Sequence, residues 1–255
     1  MGEHAALGGW PGITIAIVGL AFALAGFVKG VVGLGLPTVA VGLLSLVMTP
    51  AQAAAILVVP SLVTNVWQLT AGPRLRSLLR RLFTMLVGIC LGVAAGGYLM
   101  TPEHTREATT GLGIALVLYA LLGLSSVRIA VAAAAEPWLS PVIGFATGVV
   151  TAATGVFVLP AVPYIAALGL ERDELVQALG LSFTVSTLAL AAFLIADGML
   201  YTAVAGVSLF AVVPALAGMW IGQRVRSRIR AETFRRWFFI GLLVLGLHLA
   251  GRTLY

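Results

Sequence analysis

Gly26–Pro37 reads GFVKGVVGLGLP, and Gly144–Pro160 reads GFATGVVTAATGVFVLP. Gly26, Phe27 and Gly30 match Gly144, Phe145 and Gly148 at one spacing, early in each half of an almost continuously apolar chain. Lipid supplies no partner for a free backbone amide, so a broken helix survives in a membrane only where it is buried in protein or lines a cavity. Two breaks at corresponding places predict a transporter with its substrate site between two repeats.

The rest of the sequence sets the solvent. Of 255 residues, 60% are hydrophobic and 9% charged, with a mean hydropathy of +1.09. Soluble domains carry about 25% charged residues, so the composition specifies an all-α polytopic membrane protein embedded in a lipid bilayer. The net charge of +6 does not point to nucleic acid, because ten of the 15 basic residues sit in two clusters, Arg74–Arg81 and Arg224–Arg236. Such clusters set topology. Cys90 is the single cysteine, which excludes an intrachain disulfide and a cysteine metal cluster. No cofactor is expected. The opening MGEHAALGGW holds no Lys or Arg and so lacks the basic start of a cleaved signal peptide.

Apolar runs bounded by charge, Gly or Pro predict helices at residues 12–29, 34–48, 53–71, 80–100, 108–127, 139–150, 155–168, 175–196, 199–222 and 235–251. A full span needs about 20 residues. The pieces around the second break are too short to cross, so each broken pair is read as a hairpin with its tip at mid-membrane depth, although residues 12–29 are long enough to leave crossing open. Ser61 and Asn65 match Ser182 and Ser186, Gly92 and Gly96 match Gly218 and Gly222, and Gly113 matches Gly241. The 72–80 and 223–236 loops are arginine-rich and predicted cytoplasmic, whereas the 101–107 loop and the turn at Asp197 suit the outside. Three spanning helices per half plus a hairpin satisfy these assignments. They make two inverted-topology repeats, residues 1–130 and 131–255, with both termini outside the cell (inner) membrane. That arrangement also puts the acidic loop of Glu171, Asp173 and Glu174 inside.

An anion inside a membrane needs donors and positive potential. Helix N-termini supply both, and glycines let a backbone approach closely. Half-helices starting after Gly35 and Gly155 would point their N-termini at each other, with Gly30, Gly33 and Thr154 beside them. Lys29, the only lysine, lies one residue before Gly30; it either contacts the anion or snorkels to the interface from a helix end. Its counterpart is the neutral Thr147. Ser61, Thr64, Asn65 and Gln68 share one helical face; Ser182, Ser186 and Thr187 form a weaker one. These side chains read either as substrate ligands or as interhelical glue.

Gly88, Gly92 and Gly96 are predicted to pack backbones closely, within the subunit or in a homodimer, echoed by Pro214, Gly218 and Gly222. Trp10, Trp138, Trp220 and Trp237 read as interfacial anchors, and Trp67 as one anchor more or a cavity wall. His248 is isolated on the last helix. No Asp or Glu lies deep in a predicted span, so a proton would have to ride on Lys29 or His248; facilitated export needs no carrier residue, and Na⁺ at the broken backbone stays open.

With these residues in view, the chain resembles the TauE/SafE sulfite exporter family. The resemblance rests on GFVKGVVGLG, on its counterpart ending at Pro160, and on the Ser- or Asn-bearing helix after each. Leu36 and Pro37 depart from a longer glycine run, and Thr151, Ala152 and Ala153 stand where glycines would in the second copy. The resemblance implies an inverted-repeat exporter of small sulfur anions, such as sulfite, sulfoacetate or a related organosulfonate; alternating access is the mechanism expected of such repeats, and no enzyme activity is expected. An anion channel and a carboxylate transporter share the same residues. The remote alternatives are an intramembrane serine hydrolase using Ser182 and His248, and a structural scaffold.

Overall fold

The computed structural model describes residues 11–252 apart from 71, 98–103, 126–129, 201, 227, 229 and 230. The opening decapeptide, Trp10 and part of the 101–107 loop therefore lie outside the described residues. The described residues form ten helices: α1 (Gly12–Val32), α2 (Leu36–Leu44), α3 (Pro50–Thr70), α4 (Leu75–Gly96), α5 (Thr105–Leu124), α6 (Glu136–Thr154), α7 (Ala161–Ala166), α8 (Arg172–Ala196), α9 (Thr202–Val225) and α10 (Ala231–Gly251). Seven of them, α1, α3, α4, α5, α8, α9 and α10, are long and apolar enough to cross a membrane.

Glycine decides how they pack. The most extensive contacts are α4 on α6 and α1 on α9. A Cβ on Gly26 would sit 2.0 Å from the Ala215 carbonyl oxygen, and one on Gly218 2.0 Å from that of Ala23. In the other pair, Gly144 meets Met85 at 2.1 Å and Gly92 meets Phe145 at 2.1 Å. Backbones this close exclude any side chain at the crossing. Within each pair residue numbers rise together, Gly26 to Gly30 against Ala215 to Met219 and Gly144 to Gly148 against Met85 to Ile89, so both pairs run parallel. Gly88 and Gly92 thus stand to α6 as Gly218 and Gly222 stand to α1, one turn earlier than the matching of Gly92 and Gly96. Gly113 meets Gly246 and Ala250, whereas Gly241 touches nothing. These glycines are spaced for two faces on two neighbours, and a match by eye slides easily by a turn.

Two other pairs run antiparallel. Gly113 faces Ala250 and Gly246 faces Val117, which opposes α5 to α10. Ser61 lies by Thr187, and Gln177 donates to the Leu69 and Gly72 carbonyls, which opposes α3 to α8. Arg74 pairs with Glu174, and Arg81 grips Glu136 at 2.7 and 2.8 Å while donating to the Leu168 carbonyl at 3.2 Å. The starts of α4, α6 and α8 and the end of α3 therefore share one end of the bundle, the arginine end. The acidic loop belongs there for a local reason: Glu171 and Glu174 form a capping box on α8, where carboxylates meet free N–H groups and a positive dipole end.

Pro60 interrupts α3 and leaves the Ile56 carbonyl without its usual donor. Ser208 of α9 supplies one at 2.8 Å and accepts the Val59 N–H at 3.2 Å.

Both breaks differ from expectation. α1 continues through Lys29 to Val32 and stops at Gly33, where φ is 86°; Gly35, at φ 105°, then starts α2. α6 likewise stops at Gly155, φ 72°. However, no half-helix begins after Gly155: residues 155–160 run without helix, and α7 has only six residues. Pro160 and Pro163 lack N–H donors, and the residue before a proline is biased away from the helical region. The tips also do not meet at one depth. Gly30 is level with Gly222, near the end of α9, and Gly148 with Gly92, near the end of α4; those ends lie at opposite ends of the bundle.

Candidate functional site

Lys29 is the only charged side chain among the described buried residues, 3% exposed. It stands three residues before the end of α1, yet it does not snorkel: its side chain is buried against α3. There its ammonium donates to Thr64 Oγ1 at 3.0 Å and Asn65 Oδ1 at 2.5 Å. The Thr64 hydroxyl is committed to the Pro60 and Ser61 carbonyls, leaving a lone pair for the lysine. Neither partner is charged. An ammonium has three N–H donors, so Lys29 keeps one donor beyond Thr64 and Asn65, and neither partner is a carboxylate.

The polar face of α3 continues from this point. Asn65 Nδ2 donates to Ser61 Oγ at 3.0 Å and to Thr187 Oγ1 at 3.4 Å, and Ser61 and Thr187 lie 3.3 Å apart. Gln68 donates to the Gly33 carbonyl at 2.7 Å, tying α3 to the first break. Its Oε1 is buried without a partner, as are the Ser182 and Ser186 hydroxyls. A buried unpaired polar group costs about 1–3 kcal/mol, so these atoms mark spare hydrogen-bonding capacity in the core.

The expected site residues therefore divide. Lys29, Asn65 and Ser61 form one hydrogen-bonded network, and Gln68 and Gly33 make a separate bond between α3 and the first break. Gly35 starts α2 and accepts the Thr38 hydroxyl at 2.9 Å. Gly30 packs on the backbone of α9. Ser182 and Ser186 lie on α8, which packs against both α3 and α6. Thr147 and Thr154 spend their hydroxyls on the Ile143 and Val150 carbonyls, and Thr154 also accepts the Val156 N–H beside Gly155. Opposed helix N-termini at the two breaks are not what the fold builds, because α7 has fewer than two turns.

Sequence reading passed over Ser208, Thr38 and Gln177. A serine opposite a proline four residues past a free carbonyl carries no signal until the two helices are known to touch. His248 is exposed and Ser182 has no hydrogen-bond partner, so the pair a serine hydrolase would need is not formed.

Among the described residues, a bundle of apolar helices with two glycine-ended breaks and one buried lysine amine held by neutral side chains defines a polytopic membrane protein. Comparison with protein families narrows the class: the family described as sulfite exporter TauE/SafE matches residues 18–249. The chain belongs to that family. No curated protein and no solved structure matches it.

Proposed function

We propose that this protein exports a small sulfur-containing oxyanion, sulfite or an organosulfonate, across the cell membrane, and that Lys29 is its central ligand. The observation that carries the reading is the Lys29 amine, buried beside the first break and held by two neutral α3 side chains. A charge buried within a membrane bundle is costly, and a transported anion would offset that cost each time it binds. Asn65 orients the amine, and the Ser182 and Ser186 hydroxyls, buried without a partner, are the donors that would complete the anion's shell.

The mechanism we infer is alternating access between two inverted repeats, residues 1–130 and 131–255. The reciprocal pairings α1 with α9 and α6 with α4, and the antiparallel pairs α3 with α8 and α5 with α10, support a pseudo-two-fold axis in the membrane plane. With the arginine end cytoplasmic, an inside-negative potential drives an anion outward, about 2.3 kcal/mol per charge per 100 mV. No buried carboxylate occurs among the described residues, so the potential and the anion gradient suffice without a proton carrier.

Melting of the purified protein against sulfite, sulfate, thiosulfate, sulfonates and carboxylates tests the reading. A ligand bound only by the folded state stabilises it by about 2.7 kcal/mol at a hundredfold excess over Kd. The expected result is selective stabilisation by one sulfur anion, lost in Lys29→Ala, with that variant melting no lower than wild type in buffer. A flat panel, or an unchanged response in well-folded Lys29→Ala, overturns it.

A further inference from the structure

Between the first break and the return leg of the second lies a cavity of about 690 Å³. The first half of the chain lines it with Val32 and Leu34, which bracket Gly33, and with Tyr119 and Leu122 near the end of α5; the second half adds Ala166 of α7 and Phe239 of α10. Leu168, two residues past Ala166, accepts from Arg81, so the cavity lies at the arginine end. Its size and its apolar wall are those of a small-molecule pocket, in which a few polar groups fix the ligand.

One such group stands in the wall. Tyr119 is 3% exposed, and its hydroxyl is buried with no hydrogen-bond partner among the described residues. Its ring packs edge-on against Phe239 at 5.2 Å, which fixes the ring and leaves the oxygen unsatisfied, at a cost that an acceptor on a ligand would remove. Glu232 and Arg235 also line the cavity, both exposed and of opposite sign, so the apolar wall and the phenol select the ligand. A bare oxyanion would lose its hydration there in return for one hydrogen bond. An organic anion can lay a short apolar chain against Val32, Leu34, Leu122 and Phe239 and offer an oxygen to the phenol.

The linker of the first break joins this cavity to Lys29. The Gly33 N–H donates to the Lys29 carbonyl at 2.8 Å, and the Gly33 carbonyl accepts from Gln68 at 2.7 Å. Gln68 of the polar α3 face thus holds the linker between two residues that line the cavity. The φ of 86° at Gly33 and 105° at Gly35 belong to glycine, whose backbone moves most freely.

We propose that this cavity is an antechamber for a small organic anion, held by its apolar chain and by the Tyr119 hydroxyl before the Gly33–Gly35 linker yields and passes it to Lys29. Its place in the path rests on the exporter reading; the site itself does not. The Tyr119 oxygen is closed to water, so the head group meets it as the linker moves, which couples binding to opening.

Thiol labelling in permeabilised membranes tests this. In a Cys90→Ser parent, Leu122→Cys and Ala166→Cys place a reporter in the cavity from either half, while Leu118→Cys, 51% exposed and not a lining residue, places one toward lipid. A trimethylammonioethyl methanethiosulfonate reagent, which reacts with thiols in water, should label the first two and spare the third. Propanesulfonate should slow both reactions, at concentrations above those of the melting panel because no buried amine holds it there; sulfate at equal ionic strength should not. Tyr119→Phe should raise the concentration for half protection about fivefold and melt no lower than its parent, and Lys29→Ala should leave protection in place. Labelling of Leu118→Cys as fast as the others, no labelling in the cavity, equal protection by sulfate, protection lost in Lys29→Ala, or a Tyr119→Phe variant that melts lower or keeps the parent's half-protection concentration overturns the proposal. A flat melting panel with protection intact sinks the exporter reading alone, and a Lys29-dependent panel without protection sinks the antechamber alone.

Discussion

The contact between Lys29 and Asn65, at 2.5 Å, concentrates the chemistry in one pair of atoms. An amide oxygen orients the ammonium without cancelling its charge. A carboxylate in the same place would cancel it. Asn65→Asp should therefore abolish anion-induced stabilisation while the unliganded protein melts within a few degrees of wild type, because the new carboxylate meets a buried partner; differential scanning of both proteins with and without the anion checks this. Asn65→Ala differs in kind: it strands the ammonium and the Ser61–Thr187 pair and should lower the melting temperature as well. Ser182 and Ser186 lose no protein hydrogen bond on truncation. Their alanine variants should fold at least as well as wild type and weaken anion binding, about 1 kcal/mol for each hydroxyl that reaches the ligand, as measured by the anion concentration that gives half the full shift.

At the scale of elements, three details set the shape. Ser208 of α9 supplies the donor that Pro60 withholds from the Ile56 carbonyl. Ser208→Ala should cost about 1 kcal/mol, near the upper part of the range for hydrogen bonds between membrane helices, whereas Ser208→Ala combined with Pro60→Ala should recover most of it as α3 regains its own bond; reversible denaturation of the variants checks both. The glycine crossings are less forgiving. A Cβ on Gly92 would lie 2.1 Å from the Phe145 carbonyl oxygen, so Gly92→Val must push α4 from α6 at a cost of about 3 kcal/mol or more. Gly33, whose φ is 86° with nothing near its would-be Cβ, suffers from backbone strain alone, so Gly33→Asn should be milder than Gly33→Val, read as recovery of folded protein after purification. The second break shows why an apolar run need not be helix: Pro160 and Pro163 fall within nine residues of the α6 end, and the return leg toward the arginine end is non-helical chain and a six-residue helix.

For the whole molecule, the ion pairs between Arg74 and Glu174 and between Arg81 and Glu136 hold the starts of α4, α6 and α8 at one end. Exposed pairs of this kind contribute little stability, about 0–1 kcal/mol each, but they report sidedness. With Cys90→Ser as parent, Arg76→Cys and Arg236→Cys should escape an impermeant thiol reagent in intact cells and react after permeabilisation, while Val47→Cys reacts at once. The reverse pattern would turn the molecule over and make it an importer by the same geometry.

The membrane class, the positions of the breaks, the polar stripe of α3 and the arginine-rich loops were all legible before any coordinates, because hydropathy, helical period and charge clustering are properties of short stretches read in order. α1 outran its expected end by three residues, since neither Lys29 nor Gly30 stops a helix that neighbours bury. Beyond that, the decisive contacts join distant residues: Lys29 to Thr64 across 35 positions and Ser208 to Val59 across 149. Whether Lys29 snorkels or is buried, which glycines meet, and whether the two breaks face each other depend on which helices cross and at what level. Those are consequences of packing, where backbone contacts of 2–3 Å exclude alternatives that a pattern of apolar letters leaves equal. Hydropathy therefore specified the solvent and the segments of this protein, and tertiary packing alone chose the partners of Lys29, the one charged side chain buried among the described residues.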